Sequence, residues 1–409
     1  MRPHADRRPV LRPPHDLRHA GKGPGFEPEA VRPHVRALLA PGAGTRRRCL
    51  GPQGLSGPPV PAPRGRPDHA VEALGHPVPL PSPSSAGAGP GAAVTLPFGW
   101  FQVGWIDDFE GGAAVPLEYL GRRLVAWLDR DQRLYVADAF CPHMGAHLGY
   151  GGKVVGDRLQ CPFHNWEFGP DGRCVRVPYS DCVPSARLRT YPVDYVGDAC
   201  FVWFHDDEAF LPQWDLPGEP AFVPQPGFPR YMREVSMFWQ DVGENACDVA
   251  HFPSLHQTGD VSDFRVEGDG PHRTLTMRTP FSVGGERVDC RWTTEHYGPG
   301  IITNRVDVAG ISICQTTAVT PIDDRRLHLR MSFGPIPARS DDLRNHLVAR
   351  MFISRFMKNG DQDVPIFERK IYRDRPRVVG GDGPILDHRR WVAQFGDAAS
   401  AIPVMPSTG

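Results

Sequence analysis

Between Trp100 and His205 the hydrophobic residues fall in short runs that are rich in β-branched and aromatic side chains. Turn-forming sequences such as Asp129-Arg130-Asp131 and Gly169-Pro170-Asp171-Gly172 separate the runs. This pattern predicts a small antiparallel β domain with strands at Trp100–Trp105, Arg122–Leu128, Arg133–Ala139, Arg158–Gln160, Cys174–Pro178, Leu188–Val196 and Ala199–His205.

After a connector rich in proline and tryptophan at 209–226, the hydrophobic runs become longer. The segment Tyr231–Val242 is followed by a predicted helix that carries an Asn-x-x-Asp-x-x-His run, and a helical stretch at roughly Asp342–Tyr372 closes the chain. A sheet packed against a long helix is an α+β arrangement. The predicted strands of this second domain are Arg273–Thr279, Arg287–Thr294, Ile301–Val308, Ile311–Thr320 and Arg325–Phe333.

Residues 1–93 show no sustained periodicity and hold 19 of the 45 prolines. They also hold 13 of the 46 Lys and Arg residues but only 6 of the 47 Asp and Glu residues, so they carry a net positive charge. Such a segment buries too little apolar surface to offset its ordering entropy, which favours a disordered extension or an over-long gene start. A basic arm for nucleic acid or membrane is less favoured, because the arginines do not interleave with aromatic residues. The predicted organisation is therefore a disordered extension at 1–95, a β domain at 96–208 and a second domain at 209–409.

The rest of the composition indicates the compartment. The sequence contains no stretch of 18 or more apolar residues and no signal-peptide core, so we expect no transmembrane span. Nine unevenly spaced cysteines argue against a disulfide framework and favour a cytoplasmic protein. The sequence also has no Gly-rich phosphate loop, so a nicotinamide or flavin site is not expected on this chain.

Two loops of the β domain each carry one cysteine and one histidine. They are Cys141-Pro142-His143 and Cys161-Pro162-Phe163-His164. Two thiolates on one iron and two imidazoles on the other are the ligands of a Rieske [2Fe–2S] centre. The alternative is a Cys₂His₂ zinc site, but zinc fingers usually pair Cys with Cys and His with His, whereas each loop here is mixed. The sequence therefore predicts a Rieske cluster.

A second group of metal-ligand residues lies in the second domain. Asn245, Asp248 and His251 follow one another at intervals of three, so neighbours share a helix face, and His256 comes five residues later. Pro253 should break the helix and let His256 turn back toward the same metal. Two His and one carboxylate suit non-haem Fe(II) that activates O₂. Spacing alone leaves the carboxylate open among Asp361, Asp363 and Glu368. A cluster that delivers electrons and an iron that activates O₂ together indicate an oxygenase.

Both groups together resemble the large subunit of the Rieske non-haem iron oxygenases over about residues 96–395. The segments FGWFQVGW, DAFCPHMGAHLGYGGKVVGDRLQCPFHNW, ENACDVAHFPSLH and DQDVPIFERKIY are most similar to the steroid branch, which includes the 3-ketosteroid 9α-hydroxylase oxygenase component and cholesterol 7-desaturases. The resemblance implies a helix-grip (START-like) catalytic domain with an apolar cavity. It also implies that Cys141, His143, Cys161 and His164 hold the cluster and that His251, His256 and Asp363 hold the iron. Asp363 is preferred because Asp363-Val364-Pro365-Ile366-Phe367 matches the branch's Asp-x-x-Ile-Trp run.

The resemblance further implies a head-to-tail homotrimer, in which Asp248 links His164 of one subunit's cluster to His251 of the next subunit's iron site. Electrons would come from NAD(P)H through a separate ferredoxin or flavin reductase. Two departures from the family pattern stand out: Asn165 replaces the usual Gly after the cluster histidine, and Phe367 replaces Trp with Pro365 nearby.

The expected function is that of a terminal monooxygenase component that hydroxylates a steroid, sterol or polycyclic terpenoid, with Asp248 and Asn245 as supporting residues of the active site. A sterol desaturase and an aromatic-ring hydroxylating oxygenase are the alternatives within the family. A lipid-binding module with a vestigial iron site and a Rieske electron carrier are alternatives from other classes. The complete His, His and carboxylate set argues against the first, and some 200 residues beyond the cluster domain argue against the second.

Overall fold

The computed structural model describes residues 96–218, 230–268, 270–283, 286–308, 310–335 and 343–396. The predicted disordered extension at 1–95 and part of the predicted connector at 209–226 lie outside the described residues. No helix within the described ranges is long and apolar enough to cross a membrane.

The N-terminal β domain consists of three small antiparallel sheets with strand orders β1-β11-β10, β2-β3-β4-β9 and β5-β6-β7-β8. Strands β1 and β11 are buried along their whole length, which explains why their sequences are apolar throughout and do not alternate. The strands are β1 (Gly99–Trp105), β2 (Val115–Tyr119), β3 (Arg122–Leu128), β4 (Leu134–Asp138), β5 (Lys153–Val155), β6 (Arg158–Gln160), β7 (Glu167–Phe168), β8 (Cys174–Arg176), β9 (Thr190–Tyr191), β10 (Val193–Val196) and β11 (Ala199–Phe204).

All seven predicted strands of this domain are present, with one divided in two. Leu188–Val196 was expected to be one strand, but Pro192 separates β9 from β10, because proline has no N–H to give to a ladder. Strands β2, β5 and β7 were not predicted, since two to five residues with mixed polarity give little periodicity.

The second domain is a seven-stranded antiparallel sheet with one face covered by helices, which confirms the predicted α+β class. Its 25-residue helix, α3, crosses that face and buries Ala349 and Phe352 against Met277 and Trp292. The strand order is β12-β18-β17-β16-β15-β14-β13. The strands are β12 (Arg230–Ser236), β13 (Ser262–Glu267), β14 (His272–Val283), β15 (Glu286–Tyr297), β16 (Ile301–Val308), β17 (Ile311–Pro321) and β18 (Arg326–Pro335), and the helices are α1 (Trp239–Asn245), α2 (His251–Leu255), α3 (Leu343–Phe367) and α4 (Ile385–Val392).

The prediction that one helix carries the Asn-x-x-Asp-x-x-His run is wrong, because the chain leaves helical geometry between α1 and α2. The N–H of Val249 donates to the carbonyl of Asp382 at 2.9 Å, a partner far away in sequence. Gly383, with φ +96°, lies so close that an added Cβ would be 2.2 Å from the carbonyl oxygen of Cys247. The predicted helix break at Pro253 is also wrong. Pro253 lies in the first turn of α2, where its missing N–H removes no helical hydrogen bond.

The two domains share an aromatic seam that packs around Ile301. We define the seam as Phe98, Trp100, Trp203, Trp214 and Tyr297. The indole N–H of Trp100 donates to the carbonyl of Trp214 at 2.8 Å. Buried Arg330 on β18 reaches across the same boundary and donates to the β1 carbonyls of Gln102 at 2.9 Å and Val103 at 3.1 Å. These contacts hold the β domain at a fixed position on the sheet.

Candidate functional site

The two Cys/His loops have the same backbone design. Cys141 N–H donates to the Ala146 carbonyl at 2.9 Å, and Cys161 N–H donates equivalently to the Trp166 carbonyl at 2.8 Å. A second bond in each loop runs back to the cysteine carbonyl, from Gly145 N–H at 2.9 Å and from Asn165 N–H at 3.1 Å. Each cysteine is therefore fixed at the start of a closed turn.

The residue that closes each turn has left-handed geometry. Gly145 has φ +76° and Asn165 has φ +56°. Asn is one of the few residues other than Gly that adopt this region without large strain. This explains how Asn165 can stand where the family usually has Gly, and its exposed side chain adds an amide to the surface beside His164.

The loops bring two thiols and two imidazoles together. Cys141 and Cys161 are buried, at 2% and 1% exposure, whereas His143 and His164 are partly exposed with ring centroids 4.7 Å apart. Burial raises the pKa of the Cys141 thiol to about 11, with the neighbouring Cys161 adding to the shift. Trp166 stacks on His143 at 4.3 Å and fixes that ring. Two inner sulfurs and two outer nitrogens fit a [2Fe–2S] cluster with imidazoles on its outer iron.

A second candidate metal centre lies between α2 and α3 of the second domain. His251, His256 and Asp363 each offer a ligand atom, and these atoms all lie within 4.8 Å of one another. Among the described residues, buried His251 Nε2 has no hydrogen-bond partner. The other two carboxylate candidates lie elsewhere: Asp361 is exposed and pairs with Arg233, and Glu368 follows the end of α3.

Hydrogen bonds fix the tautomers of both histidines. Nδ1–H of His251 donates to the Asp248 carbonyl at 2.5 Å, and Nδ1–H of His256 donates to Gln362 Oε1 at 3.1 Å. Each ring therefore presents its Nε2 lone pair to the centre, as a metal requires. Asn245 donates through Nδ2 to Asp363 Oδ2 at 3.3 Å and orients the carboxylate.

The Asp248 carboxylate does not hold the His251 ring. Its Oδ1 lies 3.9 Å from Nδ1, too far for a hydrogen bond, and accepts the His251 backbone N–H at 3.3 Å. The backbone carbonyl of Asp248 holds the ring instead. The carboxylate, with its side chain about one-third exposed, remains accessible at the surface.

The charges around this centre favour a cation. Burial opposes a charge on His256, but the hydrogen bond and the attraction of the Asp363 carboxylate prevail and raise the pKa of His256. Burial lowers the pKa of His251, which keeps that ring neutral and able to bind a metal. Asp363 Oδ1 lies 3.3 Å from His256 Nε2. Two imidazole nitrogens and one carboxylate are the ligand set of a non-haem Fe(II) ion.

An apolar cavity of about 600 Å³ opens directly onto this centre. Its walls come from the sheet and from α1, α2 and α3, and they include many large apolar side chains: Met237, Phe252, Met277, Trp292, Ile302, Leu329, Met331, Phe356 and Phe367. This volume lies within the range of about 300–1,000 Å³ that is typical of small-molecule sites.

Comparison with known proteins identifies both halves of the chain. Residues 99–192 match the family of the Rieske [2Fe-2S] domain, and residues 202–395 match the 3-ketosteroid 9alpha-hydroxylase C-terminal domain. A probable 3-ketosteroid-9-alpha-monooxygenase, oxygenase component, from Rhodococcus rhodochrous is 30% identical over 319 residues, covering 73% of this chain and 79% of the relative. The chain belongs to the Rieske oxygenases.

Relatives of this Rieske oxygenase include animal proteins. A cholesterol 7-desaturase from Xenopus laevis is 29% identical over 333 residues, covering 73% of this chain and 71% of the relative. The crystal structure of dicamba monooxygenase bound to dicamba superimposes with a TM-score of 0.61 at 19% identity, covering 76% of this chain and all of that one. The latter shows a common fold. The predicted family and both predicted cofactors, the Rieske [2Fe–2S] cluster and the mononuclear iron, are confirmed.

The sequence reasoning missed three features of the Rieske oxygenase site. One is Gln362, which precedes Asp363 and accepts from His256 across 106 positions of sequence. Another is Arg355, whose Nη2 donates to the His256 carbonyl at 2.5 Å. The third is a set of polar side chains in the cavity wall, including Asn304 and Thr317. Gln362 is adjacent to the ligand Asp363 in sequence, but this adjacency does not indicate a bond to His256. No spacing connects Arg355, Asn304 or Thr317 to the ligand motifs, so only the tertiary structure shows their relation to the site.

Proposed function

We propose that this Rieske oxygenase is the terminal component of a monooxygenase that hydroxylates a steroid, sterol or comparable polycyclic terpenoid. The apolar cavity that ends at His251, His256 and Asp363 carries the proposal, because a large rigid hydrocarbon would fill it and gain free energy by leaving water. Relatives named for 3-ketosteroid and cholesterol substrates support the same class.

In this proposal the cluster ligands are Cys141, His143, Cys161 and His164, and the iron ligands are His251, His256 and Asp363. When bound, the cluster supplies single electrons and the mononuclear iron supplies activation of O₂. The burial of both cysteine thiols supports the cluster assignment. The iron assignment is supported by the hydrogen bonds at Nδ1 of both histidines, which leave each Nε2 facing the centre.

The remaining residues bind and orient. Asn245 holds the Asp363 carboxylate, and Gln362 holds the His256 ring. Trp292, Phe356 and the other apolar walls would exclude water and hold the substrate's C–H bonds against the iron site. Asp248 does not act as a general base in this proposal, because its carboxylate accepts a backbone N–H outside the cavity wall.

The proposed assembly is a head-to-tail homotrimer that receives electrons from a separate NAD(P)H-dependent reductase. The accessible carboxylate of Asp248 would then link His251 to His164 of a neighbouring subunit. Exposed apolar side chains surround the cluster loops, among them Met144, Phe163 and Tyr179, and support a docking surface there. We further propose domain limits at 96–208 and 209–409, and a cytoplasmic location where NAD(P)H is available.

Turnover under ¹⁸O₂ tests this proposal. The enzyme, reconstituted with Fe(II) and a surrogate reductase, is supplied with a 3-ketosteroid or with cholesterol, and the products are analysed by mass spectrometry. One ¹⁸O atom in the product is the expected result. Loss of two hydrogens without label would indicate the desaturase alternative.

The control is Glu368→Gln, which changes the carboxylate candidate that follows the end of α3 and is not part of the cavity wall. It should retain activity, whereas Asp363→Asn should abolish it. A lack of any modified steroid, together with full iron content, would refute the proposed substrate class but not the iron site.

A further inference from the structure

A polar row crosses three neighbouring strands in the sheet wall of the cavity. We define it as Thr294 on β15, Asn304 on β16, and Gln315 and Thr317 on β17. The strand register places Thr294 opposite Asn304 and Asn304 opposite Gln315, so all point to the same face, and Thr317 follows two residues later on that face. Thr294, Gln315 and Thr317 are at least 94% buried. Asn304 is half-buried. Burying polar side chains in such a wall is costly unless they are used.

Three hydrogen bonds connect the polar row. Thr294 donates to Asn304 Oδ1 at 2.6 Å, Asn304 Nδ2 donates to Gln315 Oε1 at 2.6 Å, and Gln315 Nε2 donates to Thr317 Oγ1 at 2.5 Å. Each hydroxyl brings one polar hydrogen and each amide brings two, so the row has six hydrogens and uses three. Within the described part of the chain, the other three have no acceptor.

Two of these spare hydrogens belong to residues that line the cavity, namely Asn304 and Thr317. The count does not depend on the orientation of the amides. Turning both amides over would move the spare hydroxyl hydrogen from Thr317 to Thr294, which also lines the cavity. In either orientation the cavity wall therefore offers one N–H and one O–H donor without a protein acceptor.

We propose that the polar row binds a carbonyl oxygen of the substrate and thereby sets the orientation of the molecule in the cavity. A carbonyl oxygen has two lone pairs and no hydrogen, so it can accept from Asn304 and a threonine hydroxyl together. An alcohol would bring a further hydrogen that needs its own acceptor. The proposal deepens the proposed function, since it rests on the same cavity and specifies a ketone within the substrate class.

Equilibrium binding tests the row without turnover. The cofactor-loaded enzyme is titrated anaerobically, by calorimetry, with 5α-androstan-3-one, 5α-androstan-3β-ol and 5α-androstane, which differ only in the oxygen at one carbon. The ketone should bind about 10- to 100-fold more tightly than the hydrocarbon, because the hydrocarbon leaves the buried donors unpaired. The alcohol should lie between them.

The double variant Thr294→Val/Thr317→Val removes the spare hydroxyl in both orientations at nearly constant volume. It should reduce the preference for the ketone to about threefold or less. The matched control is Thr303→Val, which removes a buried hydroxyl from the opposite face of β16 and should keep the full preference. Thr317→Ser keeps the hydroxyl and should also keep the preference, which separates loss of the donor from general disturbance of the sheet.

The pair 2-adamantanone and adamantane separates this proposal from the proposed function. These compact polycycles fit an apolar cavity whether or not steroids are the substrates. A preference for 2-adamantanone that the double variant loses would support the polar row even if no steroid binds. Equal affinity for ketone and hydrocarbon in both series would overturn it, as would a ketone preference that the double variant retains.

Discussion

Replacing Gln362 with Met should weaken iron binding although Gln362 is not in the predicted ligand set. Gln362 Oε1 accepts from His256 Nδ1 at 3.1 Å and thereby holds the imidazole proton on the nitrogen that faces away from the centre. Met has a similar length but no comparable acceptor. Without the acceptor, the proton can move to Nε2, which faces the Asp363 carboxylate at 3.3 Å. A proton there competes directly with the metal.

The size of the effect follows from two contributions. A neutral hydrogen bond contributes about 0.5–1.5 kcal/mol, and Asp363 stabilises the competing tautomer by a similar amount. Together they predict a 10- to 100-fold weaker affinity for Fe(II), the usual range for residues that orient a metal-bound histidine. Gln362→Glu should bind iron at least as tightly as the unmodified enzyme, because a carboxylate accepts the Nδ1 hydrogen more strongly.

Anaerobic titration of iron-depleted enzyme with Fe(II), followed with a colorimetric iron assay, measures this affinity. The visible spectrum of the cluster is recorded in the same samples and should not change. Asp361→Asn is the matched control, because its exposed carboxylate directly precedes Gln362, pairs with Arg233 and is not in the predicted iron ligand set. An affinity for Gln362→Met within twofold of the unmodified enzyme would show that the His256 tautomer does not depend on Gln362.

Three further predictions concern other parts of the molecule. Asp363→Asn should reduce the iron content from about three to about two per chain, since only the cluster remains filled, as measured by elemental analysis. Asn165→Gly should leave stability and the cluster spectrum nearly unchanged. Asn165→Val should lower the free energy of unfolding, measured by thermal unfolding, by about 1–2 kcal/mol, because Val is strained at φ +56°. Burial lowers the pKa of His296 to about 3 and that of His388 well below its ordinary value. Both rings are therefore neutral in the folded protein, and their contribution to stability is complete above about pH 6.5. Between pH 7.5 and 5.5, the free energy of unfolding measured with urea should fall by about 1.4 kcal/mol for each histidine. A His296→Asn/His388→Asn variant with an equally steep pH dependence would contradict this assignment.

The cluster loops could be predicted in detail because their ligands are local. In each loop, cysteine and histidine are separated by only one or two residues, and the backbone bonds that close the turn span at most five positions. The mixed Cys and His composition therefore indicates the geometry without any knowledge of the tertiary structure. Asn165 shows the limit of such reasoning, since only the positive φ explains why Asn is tolerated there.

The region around α1 and α2 could not be predicted in the same way. The spacing of Asn245, Asp248 and His251 is that of one helix face, yet the partner that interrupts the helix is the Asp382 carbonyl, more than 130 positions away. A separation of 106 positions likewise hides the role of Gln362. The Asp248 carbonyl is only three positions from His251, but the spacing does not show that the backbone carbonyl and not the carboxylate holds the ring. Local periodicity identified the ligand types, but tertiary contacts determine which atoms of these residues are used.

The aromatic seam also affects protein engineering. Transplanting the Rieske domain into another oxygenase by cutting between β11 and Trp214 would separate Trp203 and Phe98 from their shared partner Trp214, and Phe98 N–H from the Phe395 carbonyl. A chimera built at that cut would expose indole rings on both fragments and leave the Arg330 guanidinium without its carbonyl acceptors. Exchangeable units of this enzyme must therefore include both sides of the seam, so the two redox halves are best shuffled as one piece.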